Sequence, residues 1–455
     1  RCVAQDKLAR TDVYRRIEAT VACSMKLFHV AQFVWTTLLA TASFSDEEYQ
    51  ARLARMQNSM KQHGINALLL TMEVHHWYFA GVASEFWASP TRPYYLVVPD
   101  EGKMTAVVPS ISAALYENKQ HSVGTVRVWP SPRPEDDGIS ELVDVLEGMF
   151  PEQLGSTFKL GAELGWEFSL RMPLLDYQRL EGALKGRAEV SDATLLVKRV
   201  RAVKSESEIA HQRLMCQRQS EALDRIPSVV HAGMTEDDAC RMARIELLQS
   251  GADRVPYMSC RSGAGGYDDI VGAATQRVLR DGDMLIIDTG SMREGYYCDF
   301  NRNWFVGDAA DIPKELVAVQ EALYAAVDAG IRAARTGQNT ADIFHAMSAK
   351  LPGPESTVGR AGHGSGLAIT EWPSILPAVA GQNVTLEEGM IFSIEPSLGF
   401  GDRGQFLVHE EVIVVRSNGG ELLSERGPRT IPTISANASH AKPTKNSFSD
   451  EEYQA

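Results

Sequence analysis

The stretch Ile286-Ile-Asp-Thr-Gly-Ser-Met-Arg-Glu-Gly-Tyr-Tyr-Cys-Asp-Phe-Asn-Arg302 decides how the second half of this chain folds. Met284 to Asp288 is apolar and predicts a buried strand, and Tyr296 to Val306, alternating with aromatics, predicts another. Arg293-Glu294-Gly295 between them reads as a turn. A hairpin of this kind brings Asp288 and Asp299 side by side. Two buried carboxylates in such a position repel one another unless a proton or a cation intervenes.

Further along the chain, three more polar residues sit where apolar neighbours or glycines make them conspicuous. His363 lies in Ala-Gly-His-Gly-Ser-Gly, where the glycines let the backbone pass close to something bulky. Glu395 ends the strand-like Met390-Ile-Phe-Ser-Ile, and Glu410 sits within the predicted strand Phe406–Val415. Taken singly, each has an ordinary explanation: a strand-end Asp is usually a turn or cap residue, and Glu410 can face solvent. Four carboxylates converging with one imidazole are harder to explain that way, because the charges are costly unless paired or metal-bound. Two divalent cations resolve the repulsion, and an oxygen-rich set with one imidazole suits Mn, Fe, Co or Zn. Metals about 4 Å apart can activate a shared water and polarise a carbonyl together.

The rest of the chain gives the frame. Nine residues, SFSDEEYQA, occur at Ser43–Ala51 and again, unchanged, at Ser447–Ala455. The first copy runs into a helical pattern at Leu53, Met56 and Met60. We therefore read 1–42 as a leader outside the domains, 43–195 as a smaller α/β domain, 196–436 as an α+β domain, and 437–455 as a linker tail carrying the second copy. In the smaller domain, strands are expected at Ala67–Leu70, Tyr94–Pro99, Met104–Pro109, Thr125–Trp129 and Phe158–Leu164. Arg201–Arg225 reads as one charged connecting helix. A second helix is expected at Thr235–Gln249, with Thr235 as its N-cap and Asp238 in the capping-box position.

The chain has 455 residues and a formal net charge of −14, so its surface repels phosphate backbones and nucleic acid is not expected as a partner. No segment is long and apolar enough to predict a membrane span. The six cysteines are scattered without a CxxC pair, which indicates neither a zinc ribbon nor a disulfide framework and favours a cytoplasmic setting. If Met25 were the start, Leu27–Ala42 would pass for a secretory signal.

The strings IIDTGS, YYCDFNR, GHGSGLAITEWPS, GMIFSIEPS and VHEEVIVV, with Asp, Asp, His, Glu, Glu in that order, resemble the creatinase/aminopeptidase or pita-bread family, which includes Xaa-Pro aminopeptidases, prolidases and methionine aminopeptidases. The resemblance runs from about Ser43 to Pro432. It implies a pita-bread C-terminal domain behind a creatinase-type N-terminal domain, two divalent metal ions, and a homodimer acting on a short peptide or small molecule. It also implies that Asp288 chelates one metal, that Asp299 and Glu410 bridge both, and that His363 and Glu395 bind the other. Glu410 is preferred to Glu411 by the family pattern alone. Glu395 and His363 are the catalytic candidates.

The chain also departs from the family. Thr370 stands seven residues after His363, where the peptidases carry a histidine. Gly265–Gln276 has no histidine, and Val408 replaces an arginine two residues before the last ligand. These departures leave open a substrate other than an Xaa-Pro peptide. A metal-dependent dimethylsulfoniopropionate lyase of the same family is similar at Asp299-Phe-Asn-Arg302-Asn-Trp304, but it carries aspartates where Gly290 and Ile369 stand here. The reading is a dinuclear metal-dependent hydrolase of an amide or Xaa-Pro C–N bond, with that lyase and a non-catalytic binding protein as alternatives. Trp87, Arg92, Thr370, Glu371 and Arg302 are candidate substrate contacts. His75-His76-Trp77-Tyr78 reads either as a substrate loop or as an ordinary aromatic cluster.

Overall fold

The computed structural model describes residues 44–89, 92–150, 157–353, 359–378, 383–402 and 404–435. The leader, the signal-like run and the second copy of the repeat lie outside the described residues. The chain separates into Arg1–Glu48 and Tyr49–Ala455, and only the second is described below. Among the described residues, no helix is long and apolar enough to cross a membrane.

Six strands form the first sheet: β1 (Ala67–Leu70), β2 (Tyr95–Pro99), β3 (Met104–Pro109), β4 (Val123–Trp129), β5 (Phe158–Ala162) and β6 (Ala188–Asp192), in the order β4-β3-β2-β1-β5-β6. The Asp100-Glu101-Gly102 turn closes the β2–β3 hairpin, as its composition predicts. Leu69, Val97, Val107 and Leu160 of this sheet pack with Leu142, Leu146 and Leu180 of helices Ile139–Glu147 and Leu174–Leu184.

The expected single connector at 201–225 is two helices, α1 (Thr194–Ala202) and α2 (Glu206–Asp224). Ser205 caps the second. Its hydroxyl accepts from the Glu208 N–H, and the Glu208 carboxylate accepts from the Ser205 N–H. This reciprocal cap satisfies two donors that a continuous helix would have bonded internally, so the sequence starts a helix there afresh. The next helix, α3 (Glu236–Gln249), has the expected capping box of Thr235 and Asp238.

The second sheet has the order β17-β9-β8-β7, with β7 at Arg254–Ala264, β8 at Asp283–Arg293, β9 at Tyr296–Val306 and β17 at Thr433–Ile434. Glu294 and Gly295 take the positive φ that the β8–β9 turn requires. The register pairs Asp288 with Asn301 and Gly290 with Asp299, so the two aspartates are diagonal neighbours on one face. Thr433–Ile434, near the end of the expected 196–436 domain, pairs in parallel with β9, and β7 is a strand that its mixed polar sequence did not reveal.

A five-stranded sheet, β11-β10-β12-β15-β16, completes the frame, with β10 at Gly362–Gly364, β11 at Glu371–Ser374, β12 at Ile391–Ile394, β15 at Glu411–Arg416 and β16 at Gly419–Leu422. The expected single strand Phe406–Val415 is broken. β14 (Gln405–Val408) pairs with β13 (Ser397–Phe400), whereas β15 pairs with β12, and His409-Glu410 lies in the gap. Leaving one partner for another frees Glu410 from the alternation of either strand and turns it to β9, where the Asn301 N–H donates to its Oε2 at 3.0 Å.

Cys216 of α2 and Cys298 of β9 are joined by a disulfide, with their Cα atoms 5.3 Å apart. Cys298 is core, as its position beside Asp299 implied, but its partner lies 82 residues away and nothing in the spacing pointed to it. Cys240 and Cys260 are buried thiols.

Candidate metal centre

Each of the five singled-out residues reaches the site from a different piece of backbone. Asp288 and Asp299 come from the β8–β9 hairpin, His363 from β10, Glu395 from the end of β12, and Glu410 from the gap between β14 and β15. The three sheet segments converge because β10 and β12 pair directly, placing His363 opposite Ser393, whose hydroxyl donates to the Asp299 carbonyl oxygen at 2.8 Å. All five residues line one cavity of about 750 Å³. Ligand atoms of Asp299, His363 and Glu410 lie within 4.8 Å of one another.

His363 is oriented by its own chain. Nδ1 faces the Gly364 carbonyl oxygen at 2.9 Å, which assigns the proton to that nitrogen. The Nε2 lone pair then faces Asp299 Oδ2 at 3.5 Å and Glu395 Oε1 at 3.7 Å. Burial, helped by the charge of Arg360, pulls the imidazole down to about 4, so at neutral pH it is an uncharged donor.

The carboxylates move the other way. Burial raises Asp288 to about 6 and Glu395 to about 7. Asp299 and Glu410 are raised further, by burial first and then by the neighbouring carboxylates. Asp288 Oδ1 and Asp299 Oδ1 are buried without a hydrogen-bond partner. Buried carboxylate oxygens are normally satisfied, so these orphans, together with the mutual repulsion, fit a site built for cations rather than protons. An oxygen-rich donor set with one neutral imidazole is suited to borderline divalent metals.

Three comparisons with known proteins bear on this arrangement. Residues 210–417 match the model of metallopeptidase family M24, and residues 52–203 match that of the creatinase/prolidase N-terminal domain. The chain thus carries a metallopeptidase family M24 domain behind a creatinase/prolidase N-terminal domain. It is 28% identical over 387 residues to a "Probable dipeptidase PepE" of Mycobacterium tuberculosis, covering 84% of this chain and 96% of that protein. It is 23% identical over 369 residues to an Xaa-Pro dipeptidase of Pyrococcus horikoshii, covering 80% and 94%. The crystal structure of dipeptidase PepE from Mycobacterium ulcerans superposes with a TM-score of 0.71 at 26% identity, over 86% of this chain and all of that one. The fold is thus the pita-bread type behind a creatinase-type N-terminal domain.

Against that family frame, the remaining candidates separate. Thr370 lines the same cavity as the five central residues and accepts from Arg360 Nη2 at 3.3 Å. Glu371 is corrected: burial pushes its carboxyl up, but Arg201 and Lys204 outweigh that and hold it near 2, and it accepts from the Leu367 and Ala368 N–H groups. It anchors the loop after His363 and is spoken for by these partners. Arg302 also turns away from the cavity. It donates to Glu411 Oε2 at 3.1 Å and to the Glu410 and Glu425 carbonyl oxygens. Glu411 is buried among Arg302, Arg426, His409 and Ser424, which leaves Glu410 as the acid of the pair that faces the centre.

Within this chain neither Trp87 nor Arg92 lines the cavity. Trp87 is buried against Tyr94 and Arg171, and the Arg92 guanidinium lies over the Phe86 ring. His75 and His76 are fully buried, the first between Glu163 and Arg201, the second against the Tyr116 hydroxyl. They form the aromatic cluster, not a substrate loop of this chain's own cavity. Two cavity residues escaped the sequence reading. Tyr257, on the missed strand β7, donates to Asp288 Oδ2 at 2.9 Å. Arg360, only three residues before His363, was legible as a charge near a ligand but had no motif to mark it.

Proposed function

We propose that this chain is a divalent-metal-dependent hydrolase of a C–N bond, an amide or Xaa-Pro peptide, in a small substrate. Asp288, Asp299, His363, Glu395 and Glu410 would hold the metal ions. The observation that carries the reading is the pair of buried, unpartnered carboxylate oxygens on Asp288 and Asp299 in a cavity shared with a neutral imidazole and two further acids.

Two bound cations would supply the positive charge that polarises a scissile carbonyl and makes a water acidic enough to attack. The chain's own residues do the rest. Glu395, in the cavity wall beside His363, is placed to take a proton from the attacking water and return it to the leaving amine. His363 stays neutral and fixed through its Nδ1–H, so its Nε2 keeps one direction. Tyr257 holds Asp288 in a single orientation through its hydroxyl.

The experiment is direct. Purified protein is stripped, reloaded with Mn, Fe, Co or Zn in turn, and offered Xaa-Pro dipeptides, small cyclic and linear amides, and dimethylsulfoniopropionate. Metal-dependent release of amine supports the hydrolase, whereas volatile sulfide in place of amine would transfer the reading to the lyase. No turnover with any metal and substrate would leave a binding protein.

A further inference from the structure

Two glutamines and a cysteine lie along one stripe of α2. Gln212, Cys216 and Gln219 stand at i, i+4 and i+7, so they share a helix face, and all three are fully buried. Cys216 is joined to Cys298, whose side chain points away from that of Asp299 because neighbours on a strand alternate. The stripe therefore lies behind the sheet face that carries the acids. Gln212 Nε2 donates to the Tyr297 carbonyl oxygen at 3.0 Å and to the Ser365 hydroxyl at 3.2 Å.

Gln219 is the more fully engaged of the two glutamines. Its Nε2 donates to the carbonyl oxygens of Thr289 at 3.0 Å and Phe300 at 3.2 Å. Its Oε1 accepts from the Ser291 N–H at 3.2 Å and from the Ser291 hydroxyl. These are all four hydrogen bonds that an amide side chain can make. Thr289 and Phe300 face each other across the hairpin, and their pair lies between Asp288, opposite Asn301, and Asp299, opposite Gly290. One amide thus spans both strands at the level that sets how far apart the two carboxylates stand. The acids repel each other, and the hairpin would relieve that by splaying. A buried amide with every bond made resists it, because opening the strands would leave polar groups unpaired away from water.

We infer that Gln219 is a positioning residue of the metal centre, acting through Thr289 and Phe300 to fix the spacing of Asp288 and Asp299 before any cation binds. Its surroundings do not call for an amide on grounds of burial alone, since Met215, Cys216, Leu223 and Phe300 belong to one apolar cluster that an aliphatic side chain would also suit. The inference rests on the metal-dependent reading of the centre.

The test titrates metal-stripped protein with cobalt(II) and follows its visible absorption through each equivalent. Gln219→Met keeps the length of the side chain and removes all four bonds. Its Kd for the more weakly held ion should rise roughly 10- to 100-fold, and the cobalt bands should move from their wild-type positions. On a substrate that the wild type turns over, kcat should fall while KM changes little. Leu142→Ala, a truncation in the core under the first sheet, should lower the melting temperature and leave the cobalt Kd and bands as they are. If Gln219→Met does not fold, Ser291→Ala decides: it removes one of the four bonds and should raise the Kd by roughly 2- to 10-fold. Wild-type Kd and bands in the deciding variant, or an equal loss in Leu142→Ala, overturn the proposal. A wild type that binds no cobalt overturns it together with the hydrolase reading. Weakened cobalt binding in Gln219→Met, with no C–N substrate turned over by the wild type, upholds the positioning role and sinks the hydrolase reading alone.

Discussion

Ile369 occupies the space that a side chain on Gly290 would need: a Cβ there would lie 2.4 Å from Ile369 Cδ1 and 3.3 Å from a ring carbon of Tyr297. Gly290 is the residue paired with Asp299 across the β8–β9 hairpin, so this contact forms the wall of the centre itself. An apolar side chain from the loop after His363 thus closes the sheet face at the position where the related lyase would have an acid.

That relationship predicts coupling. Gly290→Ala should destabilise the protein by about 1–3 kcal/mol through overpacking. Ile369 is half-buried, so Ile369→Ala should cost about 1–2 kcal/mol, below the range of a full core truncation. The double variant should cost less than the sum, by roughly 0.5–2 kcal/mol, because the new methyl enters the space the isoleucine vacates. Urea midpoints of the four proteins measure it, and strict additivity would mean that the two positions do not share that space.

Glu371 gives a pH-dependent stability. Its folded pKa of about 2 lies below the ordinary 4.5. A depressed carboxyl stabilises the fold fully above its unfolded value and loses that contribution as pH falls from about 4.5 toward 2. The difference corresponds to about 3 kcal/mol. Glu371→Gln should lose about 3–5 kcal/mol at pH 7, because Arg201 and Lys204 are left buried beside a neutral amide. Its stability should also fall less steeply than the wild type's between pH 5 and pH 3. Denaturant midpoints across that range check both statements, and parallel curves would remove Glu371 from the account.

The adjacent acids should part company. Glu410→Gln is expected to lower bound metal sharply with little loss of stability in the metal-free protein, since the residue it replaces is repelled by its neighbours. Glu411→Gln should do the opposite, costing about 3–5 kcal/mol by stranding Arg302 and Arg426. Metal analysis and urea unfolding of both variants distinguish these outcomes.

Much of this was legible in the sequence because the informative residues break local rules. Asp288 ends an apolar strand, Asp299 sits in one that alternates with aromatics, and Gly295 marks the turn between them, so the hairpin and its pair of acids follow from pattern alone. The β7 strand did not show itself, since Arg254–Ala264 mixes polar and apolar residues and is held by pairing with β8 more than by its own pattern. The break at His409-Glu410 was invisible for a related reason: FLVHEEVIVV has strand propensity throughout, and only the change of partner from β13 to β12 splits it. The partners of Glu371 were hidden because Arg201, in α1, and Lys204, between α1 and α2, lie about 170 residues earlier, a distance at which sequence carries no pairing signal.

Crowded acids without cations should weaken the fold. Asp299→Asn is therefore expected to raise the melting temperature of metal-free protein, by the equivalent of about 1–2 kcal/mol. It should also abolish the further rise that added metal gives the wild type, which at 100-fold excess over Kd is about 2.7 kcal/mol. Differential scanning calorimetry with and without metal reads both. A variant less stable than the metal-free wild type, with its metal-induced rise intact, would reverse the assignment of Asp299.

The most direct test of the whole account is the metal count per chain after stripping and reloading, set beside the same count for Asp299→Asn and Glu410→Gln. The account predicts about two ions in the wild type and a loss of at least one in each variant. A wild type that takes up no metal, or variants that retain the wild-type count, would contradict it.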